Sequence, residues 1–172
     1  MISSLPTPNS EEAKYALTAN VSSTGLATFR AIAKKHPSHD PKKILLDLAT
    51  SSGDPGRWFA AAKEAGFLDL ALEFATTGRT DPRTLSRASR DMLEQDAEFC
   101  LQVGRVAILR ILEGYGYELT GSDVIDVYGH FMAAADKLGV AAYARNDVLA
   151  IATKAQEKGA VFGATLIRQC SR

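Results

Sequence analysis

Apolar residues in this chain recur three and four positions apart, the spacing of helices with one buried face. Leu68, Ala71, Leu72 and Ala75 follow i, i+3, i+4, i+7, and Val124, Tyr128, Phe131, Ala135 and Leu138 carry one stripe over four turns. Between Asp96 and Gly114 the polar residues Glu98, Gln102, Arg105 and Glu113 fall on one narrow stripe. Phe99, Val103, Val106, Ala107, Ile108, Ile111 and Leu112 take most of the circumference. A helix apolar nearly all round is expected at the centre of its neighbours.

Punctuation between the periodic segments agrees. Asp40-Pro41, Asp54-Pro55 and Asp81-Pro82 each supply an N-cap carboxylate followed by a proline, whose missing N–H costs nothing at the first helical position. Asn9-Ser10-Glu11-Glu12 and Thr120-Gly121-Ser122-Asp123 read as capping segments with an acid three residues on. Gly66, Gly78, Gly139 and Gly159 follow periodic segments, where a left-handed residue closes a helix. The spacing predicts helices over 9–20, 24–36, 41–51, 55–65, 67–77, 82–94, 96–114, 121–138, 140–158 and 160–170, and no strand. Single-glycine joints at Gly66, Gly139 and Gly159 are those of stacked hairpins. The expected fold is all-α: an irregular stack of antiparallel α-hairpins of tetratricopeptide or HEAT kind, with about nine or ten helices. Residues 1–40 are expected to form N-terminal helices continuous with a stack over 41–172.

Composition supports helices packed on small residues, since 27 of the 172 residues are alanine, the best helix former. A chain of this length buries about 70% of its unfolded surface and needs no disulfide or metal to fold. Lys+Arg and Asp+Glu both number 20, so there is no global basic excess of the kind that grips duplex nucleic acid or an anionic membrane. Met1 to Asn20 lacks a basic stretch followed by an apolar one, and no run is long enough to span a bilayer. Cys100 and Cys170 form no C-x-x-C pair and read as reduced thiols in packed helices. A cytoplasmic protein is the expectation.

Trp58 to Ala75 resembles a tetratricopeptide-type hairpin, with a Trp in its first helix, Gly66 at the turn and small residues in its second. A wider likeness is carried by Trp58-Phe59-Ala60-Ala61-Ala62-Lys63, Ala71-Leu72-Glu73, Asp81-Pro82-Arg83-Thr84-Leu85 with Arg87-Ala88 and Arg90-Asp91, and Gly114-Tyr115-Gly116-Tyr117-Glu118 with Asp123-Val124. Through these, Ile44 to Val140 resembles an uncharacterised bacterial family of all-helical domains. The resemblance implies an α-hairpin stack and carries over no catalytic residue and no cofactor. Members of such families often close a longer protein, so the resemblance implies a shorter relative.

Four constellations carry candidate chemistry. Arg83, Arg87 and Arg90, with Arg79 before them, align at i, i+4, i+7 opposite Leu85, Ala88 and Met92. Such a row can clamp phosphate or an acidic partner, or be used up in pairs with Asp91 and Glu94. Tyr115 and Tyr117, on a glycine-hinged loop, present stacking surfaces or pack on neighbours; the loop lacks the spacing of a phosphate loop. His36, His39 and Asp40 have metal-ligand chemistry but too few ligands for zinc, and Asp40 is expected to cap the next helix. Asp126 and His130 lie four apart on one helix without a nucleophile nearby in sequence.

No catalytic, metal or cofactor residue is assigned. Arg83, Arg87, Arg90, Tyr115 and Tyr117 are the candidate partner-binding residues. Three functional readings stay open. The leading one is a non-catalytic scaffold that binds a protein or peptide. A second is a nucleic-acid-associated or regulatory module using the Arg83–Arg90 face. The third is a catalytic or ligand-binding domain with a site assembled from distant helices. A pocket gathering His130, Asp126, His36 or His39 would favour the third, and a basic groove continuous with Lys34, Lys35, Lys42 and Lys43 the second.

Overall fold

Each Asp-Pro step starts a helical turn. In the computed structural model, which describes residues 24–172, the carboxylate of Asp40 accepts from the Lys42 amide (3.0 Å), that of Asp54 from Gly56 (3.0 Å), and that of Asp81 from Arg83 (2.8 Å). Nine α-helices and no strand occur among the described residues: α1 Gly25–Lys35, α2 Pro41–Ser52, α3 Phe59–Glu64, α4 Leu68–Thr77, α5 Pro82–Asp91, α6 Ala97–Leu112, α7 Gly121–Lys137, α8 Ala141–Glu157 and α9 Gly163–Cys170. The fold is all-α, as the periodicity implies. The helix expected over 9–20 lies outside the described residues. Among the described residues no helix is long and apolar enough to cross a membrane.

The helices fall into two compact units that divide between Arg79 and Thr80. In the first, α1 to α4 close over Ile32, Leu45, Trp58, Phe59, Ala62 and Ala71, all at most 2% exposed. The Trp58 indole N–H donates to the Ser52 hydroxyl at 2.9 Å, so this ring enters the core with its polar atom satisfied. Here the structure corrects the helix expected over 55–65. Residues Pro55–Trp58 form a tighter 3₁₀ turn, and α-helix begins only at Phe59. Close approach of the backbone explains the difference, because a Cβ on Gly78 would stand 1.9 Å from the Gly56 nitrogen. Gly78 is therefore no left-handed helix stop: its φ is −105° and ψ −176°, and it is glycine to let the turn pass. The Asp54 carboxylate joins the same place by accepting from the Arg79 amide at 2.9 Å.

In the second unit α6 packs on α5, α7 and α8, while α9 packs on α8 and α7. The centrality expected of the 96–114 segment holds within this unit. Its core is formed by Leu85, Val103, Ala107, Ile108, Val124 and Phe131, none more than 1% exposed. Two boundaries shift from expectation. The helix begun at Pro82 ends at Asp91, where the Met92 amide already shares its hydrogen bond between the Ala88 and Arg90 carbonyls. The last helix begins at Gly163 because residues 160–162 form a turn, closed by the Gly163 amide donating to the Ala160 carbonyl at 3.2 Å.

Candidate functional site

Helix α6 ends by a defined reversal. The Gly114 amide donates to the Ile111 carbonyl (3.1 Å), the Tyr115 amide donates to that of Arg110 (2.9 Å), and Gly114 takes φ 84°. This is the Schellman arrangement, which satisfies the orphan carbonyls of a last turn and needs a residue without a Cβ at the left-handed position. Helix α8 ends the same way: the Gly159 amide reaches Gln156 O (2.9 Å), that of Ala160 reaches Ala155 O (3.0 Å), and Gly159 has φ 87°. Gly66 and Gly139 are left-handed in equivalent positions. Three of the four glycines read as helix stops thus act as such.

Between the ends of α6 and α8 lies a groove of about 920 Å³. Leu109, Ile111 and Leu112 of α6 and Ile151 and Ala155 of α8 supply apolar wall, as do Leu119 and the turn Ala160-Val161-Phe162. Tyr115 and Gly116 close one side, and Glu113, Lys154 and Lys158 bring the charge. Val161 is 85% exposed, an unusual place for a β-branched apolar residue. The two helices are tied one turn before the groove, where Arg105 of α6 makes a two-pronged contact with Asp147 of α8: Nε donates to Oδ2 at 2.6 Å and Nη2 to Oδ1 at 3.1 Å. This planar match of guanidinium and carboxylate fixes orientation as well as separation.

Charge on the rim is uneven. Arg110 Nη1 donates to the Glu113 carboxylate at 2.7 Å, and its guanidinium lies 5.7 Å from the centre of the Tyr115 ring. Glu113 is thereby neutralised, and Tyr115 is held against a cation by its ring face. Lys154, in the last turn of α8, and Lys158, which caps that helix, are exposed and within ion-pair distance of no carboxylate among the described residues.

The arginine row has a different fate at each position. Arg83 is a structural clamp: Nε and Nη2 donate to the Asp123 carboxylate (3.2 and 3.1 Å), Nη1 to the Tyr117 carbonyl and Nη2 to that of Glu118 (both 2.9 Å). Asp123 also accepts from the amide (2.8 Å) and hydroxyl (2.7 Å) of Thr120, completing the capping box expected at 120–123. Its carboxyl is held well below the usual carboxylate range, first by the Arg83 guanidinium and then by the Thr120 donors. Arg90 donates to adjacent Asp91 at 2.7 Å, and Glu94 pairs with Lys137 at 2.6 Å, so the i,i+4 pairs expected along this helix give way to other partners. Arg87 is exposed. Tyr117, 78% exposed, contributes its carbonyl to the clamp and stands outside the groove that Tyr115 lines.

The histidines are also placed. His130 Nδ1 is 2.9 Å from the Ser86 hydroxyl, a tie between α5 and α7, where the sequence pointed to Asp126. Ser86 is 7% exposed and Asp126 lies at the surface. His36 and His39 meet edge to face with ring centres 5.2 Å apart, and Asp40 is occupied as the cap of α2. Among the described residues no group of three or more His, Cys, Asp or Glu gathers where a metal ion would sit. The groove contains none of these histidines, and Lys34, Lys35, Lys42 and Lys43 belong to the first unit while the arginine row begins the second.

No protein family, no curated protein and no solved structure matches the chain.

Proposed function

We propose that the chain is a non-catalytic helical binding protein that holds a protein or peptide segment in the groove between the ends of α6 and α8. One observation carries this reading: the groove is walled largely by apolar side chains that stay open, at a place where both helices end in Schellman turns that engage part of their last carbonyls. Apolar surface left open in a concave site is the usual mark of a binding surface. The polar side chains of the lining are Glu113, Tyr115, Lys154 and Lys158, and Glu113 is paired with Arg110. Tyr115, from the candidate partner-binding residues, belongs to this surface, and Arg83 supports it from behind by fixing the loop that carries Tyr115.

Selection of random peptides displayed on phage tests the reading, using the whole chain as bait and the groove-filling variant Ala155→Phe as counter-bait. Peptides that bind the parent chain and lose at least about tenfold on the variant, equal to about 1.4 kcal/mol, are the expected result. Peptides that bind both forms equally, or that compete with each other at the exposed face of α5, would contradict it.

A further inference from the structure

We infer that the segment taken by this groove is acidic and anchored by one bulky apolar side chain, so that carboxylates meet Lys154 and Lys158 while the anchor enters between Leu112, Ile151 and Phe162. This rests on the reading of the groove as a binding surface and names the chemistry of its occupant.

The argument is one of charge and shape. Among the charged side chains of the lining, Glu113 is spent on Arg110 at 2.7 Å, which leaves the two lysines as the uncompensated formal charges. Two helix C-termini also point their partial charge at this place, about −0.5 each. That total of about one negative unit is less than the two full positive charges, and the Schellman hydrogen bonds engage part of the carbonyls that carry it. A positive rim therefore remains above an apolar floor. A cationic segment would meet repulsion from the lysines, whereas a carboxylate finds two donors.

The spacing is specific as well. Residues four apart on a helix have Cβ atoms about 5–6 Å apart, so Lys154 and Lys158 match two carboxylates one turn apart on a partner helix, or on alternate positions of an extended strand. The floor takes a single large side chain of the aromatic or leucine type. Nucleic acid fits less well, because the lysines act as point charges without an arginine fork and the chain has no net charge to attract a polyanion.

The test uses fluorescent peptides of about a dozen residues with one central Trp flanked by Glu, and a twin with Lys in place of every Glu. Binding to the full chain is followed by anisotropy. The acidic peptide is expected to bind at least about tenfold more tightly than its twin, and to weaken several-fold as salt rises from about 50 to about 300 mM. Lys154→Glu with Lys158→Glu, both at exposed positions, is expected to reverse the preference. Equal binding of the two peptides, both lost in Ala155→Phe, would overturn the charge reading and leave the groove reading standing. Val161→Ser serves in place of Ala155→Phe if circular dichroism shows that variant unfolded. Binding indifferent to every groove variant, or absent for both peptides, would overturn both readings. Binding of dodecanoate alone would assign the groove to a small amphiphile and equally overturn the proposal.

Discussion

The same substitution, Gly to Ala, is expected to have opposite signs at two positions of one helix pair. Replacing a glycine inside a helix with alanine stabilises by about 0.5–1 kcal/mol, because the unfolded chain loses freedom and the helix gains a better former. Gly129, exposed on α7, has no heavy atom within 4 Å of where a Cβ would stand, so Gly129→Ala should show that gain alone. Gly104 on α6 is different. A Cβ there would lie 3.1 Å from Phe131 Cβ, 3.2 Å from Phe131 Cα and 3.3 Å from Ser89 Oγ. Phe131 is 1% exposed, and its Cα and Cβ cannot turn aside by changing rotamer, so α7 itself must move by a few tenths of an ångström. Overpacking of this kind costs about 1–3 kcal/mol, which exceeds the propensity gain and leaves Gly104→Ala less stable by about 0.5–2 kcal/mol. Urea unfolding followed by far-ultraviolet circular dichroism measures both variants, with an unchanged m-value as the control that only stability has moved. If Gly104→Ala is stabilised as much as Gly129→Ala, the close contact of α6 with α7 is not a constraint and the packing argument fails.

Other expectations follow from single contacts. Burial pushes the Cys100 thiol up to about 11, aided by the charge of Asp96, and burial raises Cys170 as well. Only about 0.1% of Cys100 is then thiolate at pH 8, so Ellman's reagent should label neither cysteine of the folded chain at an appreciable rate and both after unfolding in urea; rapid native labelling would contradict this. Because the Asp123 carboxyl is held down in the folded state, the stability it adds is fully present above about pH 5. It is lost as pH falls through the ordinary carboxylate value, about 3.9, toward the lower folded one. Asp123→Asn should flatten the acid limb of the stability profile below pH 5, and parallel profiles would refute the clamp. The Arg105–Asp147 pair is partly exposed, so a double-mutant cycle to alanine should return a coupling of only about 0.5–1 kcal/mol; its greater effect should be on the groove, as weaker peptide binding in Arg105→Ala.

Much of the architecture was legible because the signals that start and stop helices are local. Asp40, Asp54 and Asp81 cap the turn that follows them, Thr120 and Asp123 form the capping box, and Gly66, Gly139 and Gly159 reverse the chain, each acting within a few residues of itself. Gly78 escaped this logic because its neighbour is Gly56, brought close only by folding. The arginine row shows the same limit. Helical spacing offers Arg87 and Arg90 the acids Asp91 and Glu94 but offers Arg83 none, and its carboxylate is Asp123, 40 positions away. Likewise Ser86 meets His130 across 44 positions, and no helical spacing announces it.

The groove was half legible. An α6 apolar around most of its circumference promised a central helix, and that was correct for Val103, Ala107 and Ile108. Leu109 and Leu112, however, remain half-buried and line open space. Excess apolar surface on a central helix was the available clue to the open groove. Lys154 and Lys158 had no comparable signal, since lysines near the end of a helix are expected there for the sake of its dipole alone.

The central claim is that the ends of α6 and α8 form the binding surface, and backbone amide shifts of isotope-labelled protein titrated with the acidic, Trp-anchored peptide test it most directly. The account predicts that the largest changes fall within residues 109–116 and 151–162. Changes centred on Arg87 and Arg90 of α5, with those two segments silent, would contradict it.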